Sequence, residues 1–142
     1  MRTNLSGRIA AVLVGLEGIG LAALMVREVL AIAAGDTGSI ESAIALAVLT
    51  LVGAAAVVAF AVAIWRGQSW GRSGGIVAQL LILAVAFGAA TGSFADPSIA
   101  LALAVPALVT LVLLVLAVRD AGRAARRQDG STDDEAPGAA SR

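Results

Sequence analysis

Glu17 is the residue in this chain best placed to do chemistry, because it carries a carboxylate inside a long apolar run. It lies eight residues into the run that begins at Ile9. On a helix that is about 12 Å along the axis. A carboxylate at that depth in hydrocarbon costs several kcal/mol unless it is protonated, paired or wetted. The position therefore suits a proton relay, a cation site or an assembly contact. It also suits a protonated side chain that makes one interhelical hydrogen bond. Gly15, Gly18 and Gly20 surround it and would let another helix or a ligand approach closely. Gln79 is the other strongly polar side chain deep in an apolar run. A Glu17–Gln79 hydrogen bond is expected to be worth about 0.6–2 kcal/mol.

A second group of residues suits a membrane border. The string Trp65-Arg66-Gly67-Gln68-Ser69-Trp70-Gly71-Arg72 holds both tryptophans and reads as a loop between two apolar runs. Interfacial indoles with neighbouring guanidiniums match an aromatic belt that touches lipid phosphates. Ser73, Gly74 and Gly75 are expected to open the next helix, where free backbone N–H groups would suit an anion. The string is not a nucleotide loop, because the lysine is absent and the spacing is wrong. Arg119, Arg123, Arg126 and Arg127 follow the last apolar run and fall largely on one helix face. Such a cluster attracts anionic lipid at about 1 kcal/mol per charge. The candidate headgroup contacts are therefore Trp65, Arg66, Trp70, Arg72, Arg119, Arg123, Arg126 and Arg127. Arg27 and Glu28 lie near the opposite border, where Arg27 can snorkel outward and is expected to pair with Asp36, Glu41 or Glu28.

Composition excludes much else. The chain has 142 residues, 59% hydrophobic and 14% charged, against about 25% charged in soluble domains. All ten basic residues are arginine, and there is no His, Cys, Tyr or Lys. Without Cys there are no disulfides, thiolate nucleophiles or thiolate metal sites. Without His the commonest metal ligand is gone. No Ser/His/Asp set, metal cluster or carboxylate pair lies within the apolar runs. The chain reads as non-enzymatic, with no metal, no cofactor and no nucleic-acid partner.

The elements that must position these residues are four apolar segments, at about 9–34, 42–65, 73–95 and 97–118. About 20 apolar residues span a hydrocarbon core of roughly 30 Å. Backbone groups in lipid must be satisfied within the segment, so each run is expected to be a helix. Glu17 and the length of the first run argue against a cleaved signal peptide. Residues 35–39 carry turn chemistry, and Asp96–Pro97 fits an N-cap followed by proline at the first helical position. Pro106 should kink the fourth helix. The fold class is all-α: an up-down-up-down four-helix transmembrane bundle over residues 9–127, with Ala and Gly in the contacts and Leu, Val and Ile facing lipid. Residues 1–8 form the N-terminus, and the acidic stretch 128–142 reads as a disordered tail.

The four runs and the string Trp65-Arg66-Gly67-x-x-Trp70-Gly71-Arg72, followed by Gln79, resemble uncharacterised small four-helix integral membrane proteins of high-GC Gram-positive bacteria. The resemblance covers the spans, excludes the tail and implies no particular activity. A more distant similarity is to small multidrug resistance transporters, whose first helix carries a central glutamate that Glu17 matches. Ala63-Ile64-Trp65-x-Gly67 resembles a string of their third helix but stands here at the end of the second, and their tyrosines are missing. The expected function is a non-enzymatic scaffold or accessory subunit in the cell membrane, partnered by anionic lipid and by a second copy or another membrane protein. The alternative is a proton-coupled exporter of hydrophobic cations that uses Glu17.

Topology follows from arginine placement. Arg2, Arg8, Arg66, Arg72, Arg119, Arg123, Arg126 and Arg127 fall on one side of the four runs and Arg27 alone on the other. Positive charge is retained on the cytoplasmic side, so both termini are expected there. Reporter fusions should give an outside signal after Gly38 and an inside signal after Arg127. The reverse pattern would overturn the topology.

Overall fold

In a computed structural model the chain is four helices: α1 (Leu5–Ala33), α2 (Ile40–Trp65), α3 (Ser69–Thr91) and α4 (Pro97–Asp133). The structure describes residues 5–92 and 95–133, with side chains to 127. All four helices are long and apolar enough to cross a membrane, so the chain has the build of a multi-pass membrane protein.

The helix ends follow from local chemistry. Gly35, at φ 70°, ends α1, with its N–H donating to Ile32 O at 3.1 Å and that of Asp36 to Ala31 O at 3.0 Å. Gly67, at φ 75°, repeats the arrangement for α2, with the N–H of Gly67 on Ile64 O and that of Gln68 on Ala63 O, both 2.9 Å. These are paired Schellman closures, and only glycine enters that left-handed region without strain. Ser39 caps α2, its hydroxyl accepting from Ser42 N–H at 3.4 Å. Asp96 caps α4 as the sequence predicts, with Oδ1 accepting from Ser98 N–H at 2.9 Å and Ile99 N–H at 3.3 Å. The Ser98 hydroxyl also donates to Oδ1, at 2.6 Å. That hydroxyl first, then the two amides, holds the Asp96 carboxyl below its ordinary value.

Four boundaries differ from the sequence reading. Helix α1 begins at Leu5 rather than at about Ile9, inside the residues read as the N-terminus. Helix α3 begins at Ser69, not Ser73, and ends at Thr91. A single left-handed residue completes the α2 closure, so the chain is free to turn helical two residues later. Arg72 then donates from Nη1 to Gly67 O at 3.2 Å, satisfying a carbonyl left outside both helices. Trp70 and Arg72 are therefore helical, and Ser73–Gly75 lie inside α3 rather than at an open anion-binding start. Helix α4 runs through Pro106 and continues past Arg127 to Asp133, six residues into the stretch read as a disordered tail. No proline follows Pro106 before Asp133, and the Ala- and Arg-rich residues 119–127 that lead into the stretch favour helix, although Asp129, Gly130 and Asp133 themselves do not. Residues 134–142 lie outside the described residues.

Each helix packs against its chain neighbours, and α1 also packs against α4. The contacts run antiparallel. Gly15 faces Ala61 and Gly18 faces Val58, while Gly71 faces Ala63 and Gly74 faces Phe60. Gly75 meets Leu114, and Gly7 lies near Ala117. The core gathers Ala10, Ala11, Val14, Val57, Ala61, Ile64, Ala78 and Leu114. Many Leu, Ile and Val side chains point outward instead. This is the inverse of a soluble bundle. Lipid is as apolar as leucine, so close packing of small residues holds the helices together.

The α2–α3 contact is the tightest. A Cβ on Gly71 would overlap Ala63 Cβ and stand 2.8 Å from the Ile64 backbone nitrogen. Gly71→Ala should destabilise the bundle by about 1–3 kcal/mol in detergent, because two backbones must part. Gly88→Ala, on the same helix with nothing within 4 Å of the added carbon, should be neutral or stabilising by up to about 1 kcal/mol. Equal effects in thermal unfolding would contradict the packing described.

Candidate functional site

The antiparallel arrangement brings Glu17 of α1 to Gln79 of α3 and Thr110 of α4. Gln79 Nε2 donates to Glu17 Oε2 at 2.5 Å. The Thr110 hydroxyl donates to Glu17 Oε1 at 3.4 Å. Gln79 and Thr110 are fully buried, and Glu17 is partly buried. The pairing of Glu17 with Gln79, expected from their depth, is thus present, and both carboxyl oxygens are engaged. Thr110 is the member the sequence reading missed. Its signal was available: Ala100, Ala107, Thr110, Leu114 and Ala117 are the buried positions of α4, spaced by seven, three, four and three. A hydroxyl on that inward stripe must find a partner within the bundle.

The positions follow from the helix stripes. On α1 the buried residues are Gly7, Ala10, Ala11, Val14 and Gly18, so Glu17 flanks the stripe. On α3, Gln79 lies directly on its stripe with Gly71, Gly75, Ala78 and Ala86. Gln79 Oε1 is buried without a partner. Rotating the amide by half a turn would present that oxygen to the same Glu17 oxygen. The amide can therefore donate to a carboxylate or accept from a carboxylic acid. The hydroxyl of Thr110 has the same two options. The node serves Glu17 in either protonation form.

The border residues gather at one end of the bundle. The Arg8 guanidinium stands over the Trp65 ring, 5.6 Å from its centroid, which adds a cation–π contact between the start of α1 and the end of α2. Trp70 packs edge-on against Phe60, with centroids 6.0 Å apart, and its Nε1 donates to Gln68 Oε1 at 3.1 Å. Trp65, Arg66 and Trp70 are exposed, while Arg72 is partly buried against Gly67. Arg119, Arg123, Arg126 and Arg127 are exposed on α4 at the same end, with Asp120 among them. Asp36, Glu41 and Asp96 mark the opposite end.

Arg27 turns outward as the sequence allows but makes none of the expected pairs. Glu28 lies against α2, where the Thr50 hydroxyl is 3.2 Å from its Oε1 and 2.9 Å from Leu46 O. Glu28 Oε2 is buried with no partner. Arg27 is exposed and has no ion-pair partner among the described residues. One residue's step along a helix turns a side chain by about 100°. Glu28 thus faces α2 while Arg27 faces outward.

No family model, curated protein or solved structure matches this chain. The functional reading rests on the residues and their arrangement.

Proposed function

We propose that the protein is a non-enzymatic scaffold or accessory subunit of the cell membrane, with both termini cytoplasmic. The supporting observation is the way Glu17 is held. Its two oxygens accept bonds from Gln79 and Thr110, both fully buried, so the carboxyl ties α1 to α3 and α4. A transport site needs a carboxyl that opens to water and exchanges its partners for a substrate. A structural node needs the reverse, and its value is to fix register: a slip of α1 would leave three polar groups unpaired in hydrocarbon. The rigid bundle then holds an arginine- and tryptophan-rich end at the cytoplasmic surface. Arg119, Arg123, Arg126 and Arg127 carry that end along α4 as a platform for anionic lipid and for a second copy or another membrane protein.

The competing reading is a proton-coupled exporter of hydrophobic cations. Proton release from detergent-solubilised protein on adding lipophilic cations separates the two. The scaffold reading predicts no release from wild type. It also predicts that Glu17→Gln, which keeps the shape and a donor, changes stability by less than about 1 kcal/mol. Release from wild type that vanishes in Glu17→Gln would establish the exporter and overturn the scaffold.

A further inference from the structure

The outer face of α1 and α2, at the arginine-rich end, carries a groove that the polar node does not use. Its volume is about 370 Å³, and its lining is Ala11, Val12, Ala61, Val62, Trp65 and Arg66. The chemistry changes along its length. Ala11 and Ala61 are buried and, being small, leave the floor low, while Val12 and Val62 are exposed and form apolar rims. One turn further toward the bundle end stand the Trp65 indole and the Arg66 guanidinium, both exposed. Arg8 adds a second positive charge over the face of Trp65.

An apolar trough that ends in an exposed guanidinium beside an indole is complementary to a molecule with a hydrocarbon tail and an anionic head. We propose that this groove seats one anionic phospholipid, with an acyl chain along Ala11 and Ala61 and the phosphate on Arg66 beside the Trp65 indole. The location on the lipid-facing surface means the ligand arrives from the bilayer itself. Basic pockets between helices at a membrane border are where anionic headgroups are held. A zwitterionic lipid would fill the same trough, but its phosphate is already balanced by its own headgroup cation and would not offset the Arg66 charge. Arg72, at the same end, is not part of the site, because its Nη1 is committed to Gly67 O.

The inference rests on the membrane reading of the bundle but not on its orientation or on the role of Glu17. The test is native mass spectrometry of the full chain in mild detergent. The probes are phosphatidylglycerol, phosphatidylcholine of the same acyl chains, and inorganic phosphate. Wild type should retain one phosphatidylglycerol in preference to phosphatidylcholine and should not bind free phosphate. Arg66→Gln should weaken retention about five-fold, the effect of one charge at an anionic lipid surface. Val62→Trp, which fills the trough from an exposed position, should weaken it independently of charge. Arg27→Gln, exposed at the opposite end and outside the groove, should leave it unchanged. Equal weakening by Arg66→Gln and Arg27→Gln would reduce the effect to general surface charge and overturn the site. So would equal retention of phosphatidylcholine, or binding of phosphate as tight as that of the lipid. Failure of the membrane reading itself would show separately, as release of the wild-type protein from membranes by alkaline carbonate.

Discussion

A carboxyl group deep in an apolar helix must find its hydrogen bonds among neighbouring helices, and that requirement organises this bundle. Glu17 cannot reach bulk water without leaving its depth. The helices that meet α1 therefore have to bring polar atoms to it. Gln79 and Thr110 do so from α3 and α4. With all three in place, the rotation and height of α1, α3 and α4 are fixed together. Any other register would bury polar groups unpaired, at a cost that exceeds what one such hydrogen bond adds.

The remaining helix is set mainly by close contact, with one polar link from Thr50 to Glu28 of α1. Helix α2 carries no charge after Glu41 until Arg66. It is held between Gly15 and Gly18 on one side and Gly71 and Gly74 on the other. Close approach of backbones replaces the hydrophobic driving force that lipid removes. The two Schellman closures at Gly35 and Gly67 keep the connections short, so α1, α2 and α3 must lie antiparallel. A polar node and a set of glycine contacts together account for a bundle whose large side chains mostly face outward. The same geometry collects the arginines at one end, which couples the fold to the membrane surface.

Much of this is legible in the chain. The four apolar runs give the helices because hydrocarbon leaves no alternative for the backbone. Asp96–Pro97 and the residues around Gly35 give their boundaries. Glu17 and Gln79 stand out because they are polar where nothing else is. What was not legible depends on neighbours. Thr110 looks unremarkable in an apolar run until its stripe is compared with Leu114 and Ala117. The start of α3 at Ser69 depends on how compactly Gly67 closes α2. The inward turn of Glu28 depends on where α2 lies. The continuation of α4 past Arg127 follows an Ala- and Arg-rich helical stretch and meets no proline, where the composition of 128–133 alone suggested a tail.

The central claim is that Glu17 is held by Gln79 where α1 meets α3 and α4. Solid-state NMR on protein in lipid bilayers, with the Glu17 carboxyl carbon and the Gln79 amide nitrogen isotopically labelled, addresses it directly. The account predicts a strong through-space cross-peak between the two and no exchange cross-peak from the carboxyl carbon to water protons. A carboxyl carbon that correlates with water and not with the Gln79 nitrogen would contradict it.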